Sequence, residues 1–470
     1  EGDLLATWHE FVTDADRFAG RSSRCCEQSY DPSARFCGRC GSPLRIAPRV
    51  APVGSDAAVA LWDAFAIPSG LAMRGWTASG TLDVPLPPGT YRAVVGHGQR
   101  HAQARIEEIV VAEGQTVEVP VVLAEQIPRD GWLTLDSHLH AAPSMDGALG
   151  MAHRLVTCAA TGVDLPILTD HDRLVDYAPL AEALGLDALM KTTTGVEVTS
   201  TLRGHINLYP ITPRPDEPNG GAEPWWEVPR DTQDLFDRMH ARHGTDVITQ
   251  VNHPRTPGMF TVAQFDAQEG APRNDDFWSW DWQTFELLNG GVVDLPQVRA
   301  DWFGMLNAGH ARVPMGSSDS HYSYIPCGWG RTDVLIAAGA EGVTDADIVE
   351  ALLAGRVIVA GGTTLRATLD LGAGPVLPGE TTSGTVGAFQ VVVRAPDWVE
   401  PGTLRVHRDG EVLWEQALTT STDGVWFDGE IPVSADGASW FTVEVEGTQG
   451  VADLWRGFAP YAMTNAFFVE

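Results

Sequence analysis

Four short runs between residues 81 and 123, TLDVPL, YRAVVGHG, EEIVVAEG and TVEVPVVL, alternate apolar with polar positions, and Pro-Gly or Gly turns separate them. A period of two places the apolar set on one face of a pleated ribbon, so each run reads as a half-buried strand. LPPGTY is a turn leading into a strand. The stretch 56–128 therefore predicts a β-sandwich, of about seven strands by the usual pattern of such modules, with no obvious catalytic group.

The texture changes at residue 129. WLTLD (132–136) is a short apolar strand, and GALGMAHRLVTCAATG (147–162) carries helical spacing. VDLPILTD (163–170) is again a strand and YAPLAEALG (177–185) a helix; GVEV, HINLYP, TQDLFDRMHARHG, DVITQVNH, WQTFELLNGG, LPQVRADWFGMLNAGH and RVPMGSSDSH continue the pattern to residue 321. Strands that alternate with helices predict parallel βα units, hence an α/β barrel or an open wound sheet. DADIVEALLAGRVIVAGG (345–362) reads as a final helix and strand. From residue 366 strand patterns return, with Asp409-Gly410 suited to a type I′ hairpin turn, and predict a second β-sandwich. The expected organisation is a Cys-rich extension at 1–55, a β-sandwich at 56–128, an α/β domain at 129–365 and a C-terminal β-sandwich at 366–470.

Length and composition agree with several folded domains: 470 residues, 44% hydrophobic, 20% charged. No apolar run reaches the roughly 20 residues that span a bilayer, so no membrane insertion is expected. The formal net charge is −31, and Lys191 is the only lysine. Such a chain repels phosphate backbones and anionic lipid, which argues against a nucleic-acid partner and against membrane docking. High charge also suits an exported (periplasmic or extracellular) protein. Cys25, Cys26, Cys37 and Cys40 crowd together, while Cys158 and Cys327 stand alone as a buried thiol and a loop thiol. The segment RFCGRCGSPL offers one knuckle of a zinc ribbon, but a vicinal pair stands where a second Cys-x-x-Cys would be needed. Disulfides and a structural zinc both remain open for the four N-terminal cysteines.

The chemistry concentrates at strand ends. Asp136-Ser-His138-Leu-His140 follows the first strand of the α/β region, and Ser318-Asp319-Ser-His321 follows the last. Residues i and i+2 of an extended chain project to one side, so both histidines of such a pair can reach one ion. Thr169-Asp170-His171-Asp172 ends the second strand, Glu197 lies near the end of GVEV, His205 opens HINLYP, and His253-Pro254-Arg255 ends DVITQVNHPR. In a βα barrel the carboxyl ends of the strands converge, so residues nearly two hundred positions apart can meet. Imidazoles and carboxylates without nearby thiolates suit Zn²⁺, Mn²⁺ or Fe.

The order of these phrases, with Ser144-Met145-Asp146-Gly147 between the first two, resembles the polymerase and histidinol phosphatase (PHP) superfamily over residues 130–330. The resemblance implies a distorted seven-stranded βα barrel holding up to three divalent metal ions. Matched position by position, one ion would take His138, His140, Glu197 and Asp319. A second would share Glu197 and add His205 and His253, and a third would take Asp146, His171 and His321. Ala141 departs from the Thr or Ser often found there. A narrower resemblance, to the carbaryl hydrolase-like (CehA/McbA) branch, rests on Cys327-Gly-Trp-Gly-Arg-Thr-Asp333, the trailing β domain and the closing Met463-Thr-Asn-Ala-Phe-Phe-Val-Glu470. Members of that branch are often exported.

The function expected is metal-dependent hydrolysis by a hydroxide that two ions share, because two cations on one water bring its pKa from 15.7 towards about 7. Glu197 would bridge the pair, and Arg255 would clamp an anionic substrate with its bidentate fork, as would Arg331 with less support. Asp136, Asp170 and Asp172 could orient imidazoles or serve as turn residues. His153, His240, His243 and His310 fall in predicted helices and suit solvated or core roles. Trp225-Trp226 and Trp278-Ser-Trp280-Asp-Trp282 read as packing or as a pocket wall. Three functions stand: a phosphoesterase on phosphomonoesters or phosphodiesters, a carboxylester or carbamate hydrolase, and a metal-stabilised surface protein that self-assembles through its β-sandwich modules.

Overall fold

The computed structural model describes residues 71–470, apart from 226–230, 257, 291–293, 324, 338–341, 448–449, 452 and 456, and the backbone of the strands Thr7–Thr13, Arg24–Cys25 and Gln28–Ser29. The thiol expectations at Cys25, Cys26, Cys37 and Cys40 lie outside this description, which reaches only the backbone of Cys25.

The architecture is mixed α/β and rich in strands. An N-terminal antiparallel sheet runs in the order Leu71–Thr77, Thr7–Thr13, Gly89–Gly96, Ala104–Val111. Two of the runs expected to pair, 81–86 and 116–123, join no sheet, and Val117, Val119 and Val122 are exposed. Alternation marks which face could be buried, but it does not supply a neighbouring strand.

The central strands fall into two sheets. One is the ordered set Val196–Ser200, Gly204–Tyr209, Ile248–Val251, Thr284–Asn289, Val313–Ser317. The other carries Thr193–Thr194, Leu165–Leu168, Trp132–Leu139, Arg331–Leu335 and Val357–Gly361, and continues through Tyr461–Thr464 into the C-terminal strands. Two isolated parallel bridges, Leu139 with Ser320 and His171 with Glu197, link the sheets. The pairing is not uniformly parallel. Val196–Ser200 and Gly204–Tyr209 form an antiparallel hairpin, since only residues 201–203 separate them and no helix can cross over in so short a loop.

Trp132–Leu139 and Leu165–Leu168 are buried at every position, the first with Thr134, Asp136, Ser137 and His138 among its apolar residues. Helices cover them: Met151–Ala160, Thr232–His243 and Leu295–Asn307 each bury an apolar stripe. The helix Asp345–Leu353 starts at a capping box, where Thr344 accepts from Asp347 N and the Asp347 carboxylate accepts from Thr344 N. In the C-terminal part, the three-stranded sheet Thr364–Asp370, Val386–Arg394, Val425–Ser434 packs Phe389, Val391 and Val393 against Phe441, Val443 and Phe467 of the large sheet. The hairpin Thr403–Arg408/Glu411–Ala417 turns at Asp409 (φ 51°) and Gly410 (φ 90°), as the Asp-Gly pair implied. Among the described residues no helix is long and apolar enough to cross a membrane.

Candidate metal centre

The nine side chains singled out in the sequence come together. Glu197, fully buried, stands at their middle. Its Oε2 lies 3.1 Å from His138 Nε2, 3.3 Å from His140 Nε2 and 2.9 Å from His171 Nδ1. Its Oε1 lies 3.0 Å from His205 Nδ1 and 3.3 Å from His253 Nε2. Asp319 Oδ1 approaches His138 Nε2 at 3.3 Å and His140 Nε2 at 3.2 Å. Asp146 Oδ2 lies 3.2 Å from His171 Nε2 and 3.1 Å from His321 Nε2, and at 45% exposure it marks the open side.

These atoms fit cations. His138 Nε2, His140 Nε2, Glu197 Oε2 and Asp319 Oδ1 are buried and make no hydrogen bond, although each faces the others. An orphaned polar atom in a protein interior costs about 1–3 kcal/mol, so four in one place call for a shared partner. Ligands about 2.0–2.1 Å from a tetrahedral ion stand roughly 3.3 Å apart, which is the spacing found here. The ligand-type atoms form four overlapping sets, each within 4.8 Å: His140, Asp146, His171 and His321; His138, His253 and Asp319; His138, His140 and Glu197; His171, Glu197 and His205. This grouping differs from the one the resemblance implied, since His253 sits with His138 and Asp319, and His140 also joins the outer set.

Burial opposes charge on His138, His171, Glu197 and His140, and their neighbours outweigh it at the first three. His138 faces the carboxylates of Asp319, Glu197 and Glu286, which outweigh burial and hold its pKa well above the imidazole range. At His171, the adjacent carboxylates of Asp146 and Glu197 overcome burial and raise the pKa to about 10. Glu197 is held well below the carboxylate range despite its burial, first by His138. His140 goes the other way: burial pulls it down to about 3. Without metal the cluster balances its carboxylates with protons on imidazoles, the places where divalent cations would supply the charge.

Several local features hold the ligands. Glu197 is the second residue of its strand, and His205 lies near the start of the antiparallel partner, so the hairpin register, not a common strand end, brings them together. Asn252 Nδ2 donates to Glu197 Oε1 at 2.9 Å and to Asn207 Oδ1 at 2.7 Å. Buried Arg154 donates to His140 O, to Ser320 Oγ and to Ser320 O, tying the first ligand loop to the last. Ser144 Oγ lies 3.1 Å from His140 Nδ1 and donates to Asp146 Oδ1.

The flanking aspartates hold backbone amides and hydroxyls, not imidazoles. Asp136 accepts from Ser318 N and Oγ and from Gly328 N; Asp170 accepts from Ala141 N and Tyr177 Oη; Asp172 accepts from Thr199 N. Burial pushes the Asp136 and Asp170 carboxyls up to about 6, against those bonds.

Sequence reasoning missed Glu286, whose Oε1 lies 2.7 Å from His138 Nδ1. The signal was a lone acid in the apolar run TFELLN, since a buried carboxylate needs compensating partners.

Arg255 does not join the cluster. Its Nε donates to Asp301 Oδ2 at 2.7 Å and its Nη2 to Asp301 Oδ1 and to Phe265 O, so the fork expected to clamp a substrate is already filled by protein. Arg331 is buried beside Asp333. His240 bonds Thr249, and His310 stacks on Trp280 with centroids 4.1 Å apart. Trp278 and Trp282 pack with Phe260 in the core, and Trp280 packs beside them. Cys158 and Cys327 are buried free thiols with Sγ atoms 3.1 Å apart, too far for a disulfide.

No protein-family model and no curated protein matches the chain. Among solved structures, one from Bacteroides vulgatus, a two-domain protein containing a predicted PHP-like metal-dependent phosphoesterase, aligns with 14% identity and a TM-score of 0.36. The alignment covers 75% of this chain and 99% of that one.

Proposed function

We propose that this chain is a metal-dependent hydrolase of phosphoesters, with two or three divalent ions held by His138, His140, Asp146, His171, Glu197, His205, His253, Asp319 and His321. One observation carries the reading: a fully buried carboxylate, Glu197, has five imidazole nitrogens within 3.3 Å, and none of those five rings is more than about a fifth exposed. Such a cluster is costly to bury unless it serves a bound cation. The bridges Leu139–Ser320 and His171–Glu197 support reading the two central sheets as walls of one distorted barrel.

Bound divalent ions would supply a water of lowered pKa and positive charge for a departing oxyanion. The protein's own residues do the rest. Glu197 presents both oxygens to neighbouring subsites and so ties them together. His140, kept neutral by burial, offers its Nε2 lone pair without first losing a proton. Asp146, on the open side with His171 and His321, sets where substrate enters. Arg154 donates to His140 O, Ser320 Oγ and Ser320 O, and Arg255 to Asp301 and Phe265 O, so both are committed to protein acceptors and not to an anionic substrate. The ordered motifs resembling the PHP superfamily favour phosphoesters over other esters.

The test is elemental analysis of the purified protein together with p-nitrophenyl phosphate, bis-p-nitrophenyl phosphate and an aryl carbamate, each with and without chelator. Chelator-sensitive turnover of a phosphate ester is expected. Absence of turnover on both phosphates refutes the substrate class, and turnover of the carbamate alone would replace it. A protein without bound metal refutes the whole reading.

A further inference from the structure

Glu286 lies in the strand Thr284–Asn289 and is 1% exposed, yet it belongs to none of the four ligand sets. Its two oxygens are fully engaged. Oε1 accepts from His138 Nδ1 at 2.7 Å and from Ser317 Oγ; Oε2 accepts from the backbone N–H of His253 and from Asn289 Nδ2 at 2.8 Å. A carboxylate has about four lone-pair sites, and four donors fill them, so Glu286 has nothing left to offer an ion.

What these bonds reach is specific. Accepting the Nδ1 proton of His138 fixes the tautomer in which Nε2 carries the lone pair, and that nitrogen points at Glu197 and Asp319. The bond from His253 N holds a backbone at φ 24°, a conformation that strains any residue but glycine, and so fixes where its ring projects. Asn289 Nδ2 also donates to Asp319 Oδ2 at 3.3 Å, and Asp319 too lies at positive φ, 49°. The groups tied to Glu286, directly or through Asn289, are therefore His138, His253 and Asp319. Those three form one of the four ligand sets and draw on three separate segments of chain.

We propose that Glu286, with Asn289, is the positioning residue that assembles the His138/His253/Asp319 subsite in particular, leaving the outer subsite of His140, Asp146, His171 and His321 to other supports. The inference rests on the metal-binding reading above. The outer set has anchors outside the Glu286 network: Ser144 for His140 and Asp146, and Thr199 Oγ1 for His171 Nδ1.

The experiment compares wild type, Glu286→Gln, Glu286→Asp and Asn289→Ala as full chains. Each is stripped with chelator and reloaded with Zn²⁺ or Mn²⁺; bound equivalents are then counted by elemental analysis and stepwise affinities read by calorimetry. Circular dichroism reports the fold. Wild type should bind at least two equivalents. Glu286→Gln should retain all but one, with that one weakened about 10–100-fold as for other partners of ligating imidazoles. Glu286→Asp should restore part of the loss. Asn289→Ala keeps the His138 bond and should weaken the same equivalent by less; it carries the test if Glu286→Gln does not fold. Unchanged stoichiometry and affinity in the folded variants overturns the proposal, and so does an equal loss of every equivalent. A wild type that binds no metal would instead overturn the metal-binding reading itself.

Discussion

Replacing Arg255 separates two roles that the sequence alone leaves open. The side chain is 11% exposed and its partner Asp301 is 1% exposed. The pair is bidentate, and a third bond goes to Phe265 O. Truncation in Arg255→Ala leaves a buried carboxylate without its counter-ion and a carbonyl without its donor. Breaking a buried pair from one side costs about 3–5 kcal/mol. For a unit of this size each kcal/mol moves the melting temperature by about 2–4 °C, so a fall of about 6–20 °C is expected. Asp301→Ala should cost a similar amount, and the double variant less than the sum of the two, because removing both partners strands neither. Activity should fall only as far as the His253-Pro254-Arg255 loop loosens. The assay is thermal and denaturant unfolding beside kcat/KM on a phosphate ester for the three variants. A folded Arg255→Ala protein of wild-type stability, with kcat/KM reduced a hundredfold and Asp301→Ala unaffected, would refute the structural role and return Arg255 to the substrate.

Three other outcomes follow from the same geometry. Glu197→Gln keeps the shape but removes the charge that five imidazoles face, so metal content and metal-dependent turnover should both collapse; a variant that keeps its full metal complement sinks the central role of Glu197. In chelated protein His171 has a pKa raised to about 10 against an unfolded value near 6.5, so its stabilising pairs are fully present below about pH 6.5 and lost as pH rises towards about 10. The melting temperature of metal-free protein should decline across that window while reloaded protein holds steady, and a flat metal-free profile would contradict the charge balance described. Gln99, 2% exposed, donates to the carbonyls of Gly328 and Trp329 and accepts from Gly362 N, pinning the N-terminal sheet to the chain after the last ligands. Gln99→Ala strands three buried backbone groups at about 1 kcal/mol or more each, so a loss of about 3 kcal/mol should appear in the denaturant midpoint, and an unchanged midpoint would rule out that anchoring.

The ligands were legible because metal chemistry restricts residue type sharply. His-x-His, Thr-Asp-His, His-Pro and Ser-Asp-x-His are short and local, and all nine expected groups meet in space. Their supports were not legible. Glu286 is one acid in an apolar strand, and Arg154 is one cation in a helix; neither shows from sequence that it faces inward. Arg255 misled for a related reason: its position two residues after a ligand is local, but the acid that saturates it arrives from a helix more than forty residues later.

Alone, the sequence determined that strands and helices alternate through the middle of the chain and strands return beyond it, because side-chain periodicity is set by backbone geometry within a few residues. It also determined which atoms are chemically fit to hold a divalent cation. Only the tertiary structure decided which ligands share a subsite, that two of the central strands close as a hairpin, and which charges are already spent on one another. Those outcomes depend on burial and on partners distant in the chain, and the energy of a carboxylate or a guanidinium is fixed by what packing places beside it.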